Sequence, residues 1–488
     1  MQDPFKAVAH SRAMCSRAWQ AVSAGGPPHC SPNGWRAFQA GLLLIPSSAL
    51  LSGLLLLGSI TLWAPKREPK PMSRGIARLL TALAVLMALT LAAGSPGQSL
   101  EHQLRLMNWL PFFWFFLAIG PYLNTEASRS RAALTITAGS LPIAVISLGQ
   151  AAFGLIGPWQ TLYGLIEWTL PALHRFYGAG VFPNPNFNAA WIAMSLPLAA
   201  VICLRAQAQA IGPGSRLQSG LAWIVLLTLA TSLYINSSRT ALLAGAIGLL
   251  ALSWRTFLKP VSVVVTMAAA ALALASNPAI LPPWLAPLQQ MALWSSGKLA
   301  RKVGKMVSAT STSANLRSNY YPQIIDFIRA HPWGGKSEWL IQQKGSQMLE
   351  QANSLKPAGV AHFHSLPLQF AFDHGIPTLM LLSGIVAIVV IKAGRALKQS
   401  TPSDRLSDHS VDKAILISAC VAIFLHTFDI PSFESRINLL GWILLAACWQ
   451  IGSNPKPPQK QTVGPVQTAR IHNDWQASAA GPHATAQG

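Results

Sequence analysis

Several arginine, histidine and carboxylate side chains lie in polar stretches beside apolar runs. Arg239 follows the stretch "NSS", and Arg317 stands near the start of a segment whose apolar residues have helical spacing. A guanidinium binds phosphate through two parallel hydrogen bonds, and the imidazole of His364 can take up a proton near neutral pH. These three residues could together bind an anionic group and deprotonate a hydroxyl. Taken singly, they are also typical of interfacial side chains that reach for water.

Other polar residues accompany these three at the ends of apolar runs. We predict that they bind substrate, and they are Asn184, Asn186, Arg175, His362, Asp373 and Asp429. In "GVFPNPNFNAAW", residues 180–191, two prolines keep the chain extended ahead of an apolar run. Asparagines at that place can cap a helix, and a helix N-terminus attracts anions. The stretch therefore predicts a rigid wall of an anion cavity, with a plain helix cap as the alternative.

The elements that must position these residues are predicted to be membrane helices. The 488 residues are 51% hydrophobic and only 10% charged, whereas a soluble chain is about 25% charged. Apolar runs of roughly the length that spans a bilayer recur along the chain. We therefore predict an all-α, polytopic transmembrane helix bundle of about 12 spans. The predicted spans are a hairpin over 35–64 that turns at Pro46, with a single tilted span as the alternative, then roughly 77–94, 106–123, 132–156, 188–205, 220–236, 241–254, 260–280, 366–393, 412–430 and 435–452.

Loop charge predicts the orientation of the bundle. One set of short loops holds sixteen Lys and Arg residues and the other set holds four, so the first set is expected in the cytoplasm. The candidate residues then lie on the outer face, with one large extracytoplasmic loop over 281–364 that contains helices. Its excess of basic residues suits an anionic ligand, or else the head groups of anionic lipids. We expect the transmembrane domain over 35–452 to be flanked by disordered cytoplasmic tails over 1–34 and 453–488.

Composition also argues against several classes of partner. The net charge is +21, but the basic residues are scattered between spans and do not form one patch, so we expect no nucleic-acid partner. The five cysteines lack metal-ligand spacing, so we expect no metal site and no disulfide framework. No phosphate-cradling glycine loop in the required context is found, and no cofactor is predicted.

Four stretches in order resemble the O-antigen ligase and polymerase superfamily of bacterial inner membranes. They are "GVFPNPNFNAA", "NSSRTALLAGAIG", "LRSNYYPQIIDFIRAHPWGG" and "HFHSLPLQFAFDHGIP". The resemblance extends over roughly residues 35–452. It implies a multi-pass protein of the cytoplasmic (inner) membrane whose active site faces outward. It also implies a metal-independent enzyme that moves a glycan, with inversion, from an undecaprenyl pyrophosphate carrier to a lipid or glycan hydroxyl.

The resemblance also implies roles for single residues. Arg239 and Arg317 match the two family arginines, which bind the pyrophosphate, and His364 matches the family histidine, which acts as the base. This chain has Ser365 where the family usually has asparagine, and Asp373 where it usually has glutamate. The implied activity is most simply that of an O-antigen ligase, with O-antigen polymerase as the alternative.

A third reading is an inorganic anion transporter, for example of bicarbonate. Transporters usually carry interrupted helices and polar groups near the membrane midplane, often in paired repeats. In this sequence the ionisable groups gather at the predicted outer face, and no repeat is found. The pattern therefore favours the enzyme.

Overall fold

The computed structural model describes most of the apolar part of the chain. The described residues are 26–65, 74–92, 105–153, 159–161, 166–168, 178–208, 210, 213–236, 238–253, 322, 324–334, 365–399, 409–428 and 434–453. The predicted span 260–280 and most of both predicted tails lie outside these residues.

The described part of the chain is almost entirely helical. Its helices are α1 (Pro32–Leu44), α2 (Ala49–Thr61), α3 (Arg74–Ala92), α4 (Leu110–Ile119), α5 (Glu126–Phe153), α6 (Pro185–Ala208), α7 (Pro213–Ile235), α8 (Arg239–Ser253), α9 (Leu366–His374), α10 (Ile376–Gln399), α11 (His409–Phe428) and α12 (Ser435–Ser453). Short 3₁₀ turns at Arg105–Asn108 and Gly120–Leu123 flank α4. The prediction of an all-α fold misses one small antiparallel pair, β1 (Trp159–Thr161) and β2 (Ile166–Trp168), whose central partners are Gln160 and Glu167.

The predicted hairpin at the start of the bundle is present as two packed helices, and that each of them crosses the membrane stays a prediction. Helices α1 and α2 are joined by a turn at Pro46, and Ser48 caps α2 by accepting a hydrogen bond from Leu51 N. The helices approach closely at Gly41, where a Cβ atom would lie 2.7 Å from Leu56 Cγ. Each helix has 13 residues, so each is about 20 Å long, which is shorter than the roughly 30 Å hydrocarbon core.

By length and composition, seven described helical stretches can cross a membrane. They are Arg74–Ala92, Leu106–Leu123, Glu126–Phe153, Pro185–Ala208, Gly214–Ile235, Ile376–Gln399 and Val411–Phe428. Two shorter apolar helices, Ala49–Thr61 and Arg239–Leu252, accompany them. The chain is therefore a multi-pass membrane protein, and the count of twelve spans stays a prediction.

The predicted single span over 366–393 is wrong in one respect, because two helices replace it. Helix α9 ends at His374 and α10 begins at Ile376. Gly375 between them has φ +85°, a conformation that side chains with a Cβ rarely adopt. A Cβ at Gly375 would also lie 2.5 Å from the carbonyl carbon of Trp333. The break thus serves the close approach of residues 332–334, which hydrophobic periodicity does not reveal.

Helix α6 lies at the centre of the bundle. Within its most apolar 18-residue window, 83% of the residues are buried, and it contacts α5, α7, α8 and α11. Its many small residues, among them Ala189, Ala190 and Ala193, let neighbouring helices come close. The indole of Trp191 donates to Ser140 Oγ of α5 at 2.9 Å. This helix therefore fixes the elements around it, and its N-terminus is the "NPN" stretch.

Contacts between distant segments define two ends of the bundle. At one end, called here the site end, Arg436 at the start of α12 contacts the turn at Pro46 and the carbonyl of Val181 just before α6. At the other end, called the ion-pair end, Arg129 of α5 pairs with Asp412 of α11. Loop charge predicts that the site end is extracytoplasmic.

Candidate active site

The "NPN" stretch begins helix α6 at the site end. Pro185 is the first helical residue, and Asn184 Oδ1 accepts a hydrogen bond from Asn186 N at 2.8 Å. The Asn184 side chain is therefore the N-cap, which satisfies one of the amides that a helix start leaves without a partner. Asn186 occupies the second helical position, and both asparagine side chains are exposed.

A buried amide network holds the chain just before this helix. Gln150 of α5 makes two hydrogen bonds of 2.8 Å with Gly180, one to its carbonyl and one from its N–H. Gly180 has φ +61°. The carbonyl of Gly178 accepts from Ser147 Oγ at 2.8 Å and from Asn188 Nδ2 at 3.1 Å. Because side chains of α5 and α6 bind its backbone, the segment that leads into the "NPN" stretch is held rigidly.

The same network joins the starts of two helices. Asn188, one turn into α6, donates to Asn236 Oδ1 at 3.3 Å. Asn236 stands three residues before Arg239, the first residue of α8, and the carbonyl of Ser238 accepts from Leu242 N as an N-cap does. The N-termini of α6 and α8 therefore lie side by side. Both present partial positive charge at the site end.

Arg239 adds a full positive charge to this pair of helix starts. Its side chain is exposed, and a cation at a helix N-terminus is opposed by the helix dipole. The placement therefore raises the positive potential at the site end. Two further polar atoms in the network, Asn188 Oδ1 and Asn236 Nδ2, are buried and have no hydrogen-bond partner among the described residues. This corner of the bundle is suited to attract an anion.

Arg436 is a residue of the site end that sequence reasoning did not select. Its Nε donates to Glu434 Oε1 at 2.6 Å, and its Nη1 donates to the carbonyls of Pro46 at 3.1 Å and Val181 at 3.2 Å. The guanidinium lies 4.1 Å above the ring of Phe182. Arg436 thus ties the start of α12 to both the hairpin turn and the segment before "NPN". The local sequence, "FESR" before an apolar run, indicates only a charged residue in a loop and does not reveal these distant contacts.

Asp373 lies near the end of α9 and is buried, with 8% of its surface exposed. One carboxylate oxygen accepts from Gln369 Nε2 at 2.9 Å, and Oδ1 has no partner among the described residues. The next residue, His374, places Nδ1 3.4 Å from Thr90 Oγ1 at the end of α3. Asp373 therefore retains an acceptor at the site end.

The described part of the large loop packs against α9. Residues 324–330 are helical, which confirms a helix in this loop, and Phe327 packs on Phe372 with ring centroids 4.8 Å apart. The carbonyl of Pro332 accepts from Ile376 N at 2.7 Å. Gly334, with φ +73°, lies against the backbone of His374. The end of the loop helix is thereby fixed to the α9–α10 break.

A chain of contacts connects α9 to the start of α12. Trp109 packs edge-on against Phe370, with centroids 5.0 Å apart, and the neighbouring carbonyl of Asn108 accepts from Asn438 Nδ2 at 2.8 Å. Asn438 is two residues from Arg436, which contacts the "NPN" segment. Asp373 and the paired helix starts therefore belong to one end of the bundle.

Five predicted site residues lie outside the described residues: His364, Arg317, Arg175, His362 and Asp429. Of the others, the structure places Asn184, Asn186, Arg239 and Asp373 at the site end. Ser365, which follows His364 in sequence, is buried and takes the N-cap position of α9. From there Asp373 is eight residues, or about 12 Å, along the helix axis.

The fold and site together define a multi-pass helical membrane protein with an anion-attracting site end. Residues 224–383 match the family model described as O-antigen ligase. This match supports the resemblance to the O-antigen ligase and polymerase superfamily that the sequence motifs indicated, and the matched segment includes Arg239, Arg317, His364 and Asp373. The "NPN" stretch precedes it. No curated protein matches the chain.

Proposed function

We propose that the protein transfers a glycan from an undecaprenyl pyrophosphate carrier to a hydroxyl acceptor, as an O-antigen ligase does. The single observation that carries this proposal is the pairing of two helix N-termini at the Asn188–Asn236 contact, with Arg239 on one of them. Two helix dipoles and one guanidinium present about two units of positive charge. A pyrophosphate has the complementary charge, and the match of residues 224–383 to the O-antigen ligase family model supports a glycan-transfer reaction.

In this proposal the arginines act on the leaving group. Arg239 and Arg317 bind the pyrophosphate and stabilise the negative charge that grows on it as its bond to the anomeric carbon breaks. The capped start of α6, with Asn184 and Asn186, forms one wall of the pyrophosphate cavity, and Arg175 contributes a further contact. The backbone that leads into this wall is preorganised, because Gln150 binds both the carbonyl and the N–H of Gly180.

His364 is proposed to act on the acceptor. Its imidazole takes the proton from the acceptor hydroxyl as that oxygen attacks the anomeric carbon from the face opposite the pyrophosphate. The products are the glycosylated acceptor, with inverted configuration, and undecaprenyl pyrophosphate. No metal takes part in the step. Three further residues, His362, Asp373 and Asp429, are proposed to contact the substrates.

The position of Asp373 on α9 supports the substrate-binding role proposed for it. The chain enters α9 at Ser365, about 12 Å along the axis from Asp373. A carboxylate so far along the helix is poorly placed to orient a base next to Ser365. Its Oδ1 atom is better placed to accept a hydrogen bond from a sugar hydroxyl near residues 332–334, whose backbone lies against His374 and Gly375. We therefore assign Asp373 to substrate binding.

Reconstituted protein with a polyprenyl-pyrophosphate-linked glycan tests the proposal. We expect glycan transfer to lipid A-core, with polyprenyl pyrophosphate released. Arg239→Lys keeps the charge but loses the planar fork, so we expect a loss of roughly 10²-fold in rate. Arg216→Lys is the matched control. Arg216 is also an exposed arginine, but it lies at the start of α7, at the end of the bundle opposite to Arg239.

The acceptor separates the possible outcomes. Transfer to a second carrier-linked glycan, and not to lipid A-core, would identify a polymerase. Transfer to neither acceptor, together with uptake of labelled bicarbonate by the same liposomes, would overturn the proposal in favour of transport. Normal turnover by Arg239→Lys at normal membrane abundance would remove Arg239 from the site.

A further inference from the structure

A cavity lies at the ion-pair end of α10, away from the candidate active site. Its volume is about 470 Å³, and its lining comes mainly from one face of α10 with one residue of α12. The lining residues are Ile388, Ile391, Lys392, Arg395, Ala396, Gln399 and Gly452. Along α10 the lining changes from exposed isoleucines to two cations. None of these residues has a role in the proposed transfer.

The position of the two cations along the helix matches a membrane boundary. α10 begins at Ile376 at the site end, and Lys392 and Arg395 follow 16 and 19 residues later. At 1.5 Å per residue these distances are about 24 and 28 Å, against a hydrocarbon core of roughly 30 Å. The isoleucines therefore lie within the opposite leaflet, and the cations lie at the level of its phosphates.

Lys392 is held in place for such a contact. Its ammonium lies 3.9 Å above the ring of Trp449 and donates to Ser453 Oγ at 2.9 Å. An ammonium has three N–H donors, so this single hydrogen bond leaves it able to donate to a ligand. Gly452 permits this arrangement, because a Cβ there would lie 2.7 Å from Lys392 Cγ. The cavity thus has a fixed cation beside the exposed guanidinium of Arg395.

Helix C-termini offer a simpler explanation for basic residues, since cations there complement the helix dipole. That explanation accounts for Lys398, in the last turn of α10. It does not account for Lys392, which is fixed two turns earlier against Trp449. Nor does an ion pair explain the two cations, because neither pairs with a carboxylate among the described residues.

We propose that this cavity binds one anionic phospholipid of the leaflet opposite the candidate active site. The lipid phosphate accepts hydrogen bonds from Lys392 and Arg395, and an acyl chain lies along Ile388 and Ile391. Basic pockets between membrane helices bind anionic head groups in this way. The apolar wall below the cations is the feature that specifies a lipid over a free phosphate.

Native mass spectrometry of the detergent-solubilised full chain, titrated with phosphatidylglycerol or phosphatidylcholine, tests this proposal. We expect one tightly bound phosphatidylglycerol and clearly weaker binding of phosphatidylcholine. Each cation near a membrane surface contributes about 1 kcal/mol, so Lys392→Gln with Arg395→Gln should weaken phosphatidylglycerol binding roughly 30-fold. Lys398→Gln is the matched control on the same helix, and it should weaken binding clearly less than the double variant does, because the Lys398 side chain does not line the cavity.

Several results would overturn the proposal. Equal affinity of the native chain for phosphatidylglycerol and phosphatidylcholine would do so. That result is expected, for example, if residues 400–408, which include Asp404 and Asp408, occupy the cavity in place of a lipid. An equal loss on Lys398→Gln would indicate unspecific attraction to a basic surface. Displacement of the lipid by millimolar inorganic phosphate would indicate a phosphate site. Gly452→Ala keeps both positive charges but should still weaken phosphatidylglycerol binding, because the added Cβ displaces Lys392. If neither this variant nor the double variant changes phosphatidylglycerol binding, the cavity is not the lipid site.

Discussion

Replacing Arg436 with glutamine tests the rigidity of the site end most directly. The guanidinium donates to Glu434 at 2.6 Å and to two backbone carbonyls, those of Pro46 and Val181. Both side chains of the ion pair are only 11% exposed. The change would therefore leave a nearly buried carboxylate and two carbonyls without their donor.

The structure sets the size of the expected effect. Removing one partner of a buried ion pair costs about 3–5 kcal/mol. The two bonds to carbonyls fall within that figure, because such losses in one network do not add. At 3 kcal/mol, the population in which residues 178–184 have opened rises more than about 100-fold. Arg436→Lys keeps the ion pair with Glu434, but lysine lacks the planar fork that reaches both carbonyls. We therefore expect a smaller loss of stability than in Arg436→Gln.

Hydrogen–deuterium exchange of the reconstituted protein measures this effect locally. We expect faster exchange at the amides of residues 178–188 in Arg436→Gln, a lower affinity for the carrier-linked donor, and partial recovery in Arg436→Lys. The matched control is Arg329→Gln, because the Arg329–Asp326 pair is 75% and 72% exposed and such pairs contribute about 0–1 kcal/mol. Unchanged exchange at 178–188, with a stability loss no larger than that of the control, would refute the argument.

Three further predictions follow from the site and the fold. His364→Ala should abolish glycan transfer and keep donor binding, whereas His362→Ala should be milder; transfer and binding assays on both variants check this. Asp412→Asn should lower stability by about 3–5 kcal/mol, because it leaves Arg129 buried without its charged partner, and thermal unfolding in detergent measures the loss. Gly375→Ala should reduce stability and transfer together, because a Cβ there meets the backbone at Trp333; a variant with native melting and turnover would contradict the close approach.

The parts of the fold that follow from local physics could be predicted from the sequence. Runs of about 20 apolar residues predicted most of the described helices, since a bilayer demands that length. Pro46 predicted a turn and not a kink, and α1 and α2 indeed pack as a hairpin. The two prolines at 183 and 185 predicted an extended chain ahead of α6, because the residue before each proline is pushed out of the α region, and the helix begins at Pro185.

Other features depend on contacts between residues far apart in sequence. Arg436 is 390 residues from Pro46 and 255 from Val181, and no periodicity along the chain reports such a pairing. The break at Gly375 had a local signal, "HGIP", but its cause is the backbone of residues 332–334. The partnership of Asn188 and Asn236 likewise needs the packing of α6 against α7 and α8.

Buried polar groups occur at both ends of the bundle. At the ion-pair end, Arg129 binds both carboxylate oxygens of Asp412 and the carbonyl of Leu123, so a buried charge there is fully compensated. At the site end, Asn188 Oδ1, Asn236 Nδ2 and Asp373 Oδ1 are buried with no partner among the described residues. A buried polar group that lacks a partner costs about 1–3 kcal/mol. Such atoms also occur elsewhere among the described residues, for example Trp35 Nε1 and Thr137 Oγ1, so they do not by themselves indicate a ligand. At the site end, however, Asn236 Nδ2 lies at the paired helix starts beside Arg239, where the anionic ligand proposed above would accept its hydrogen bond.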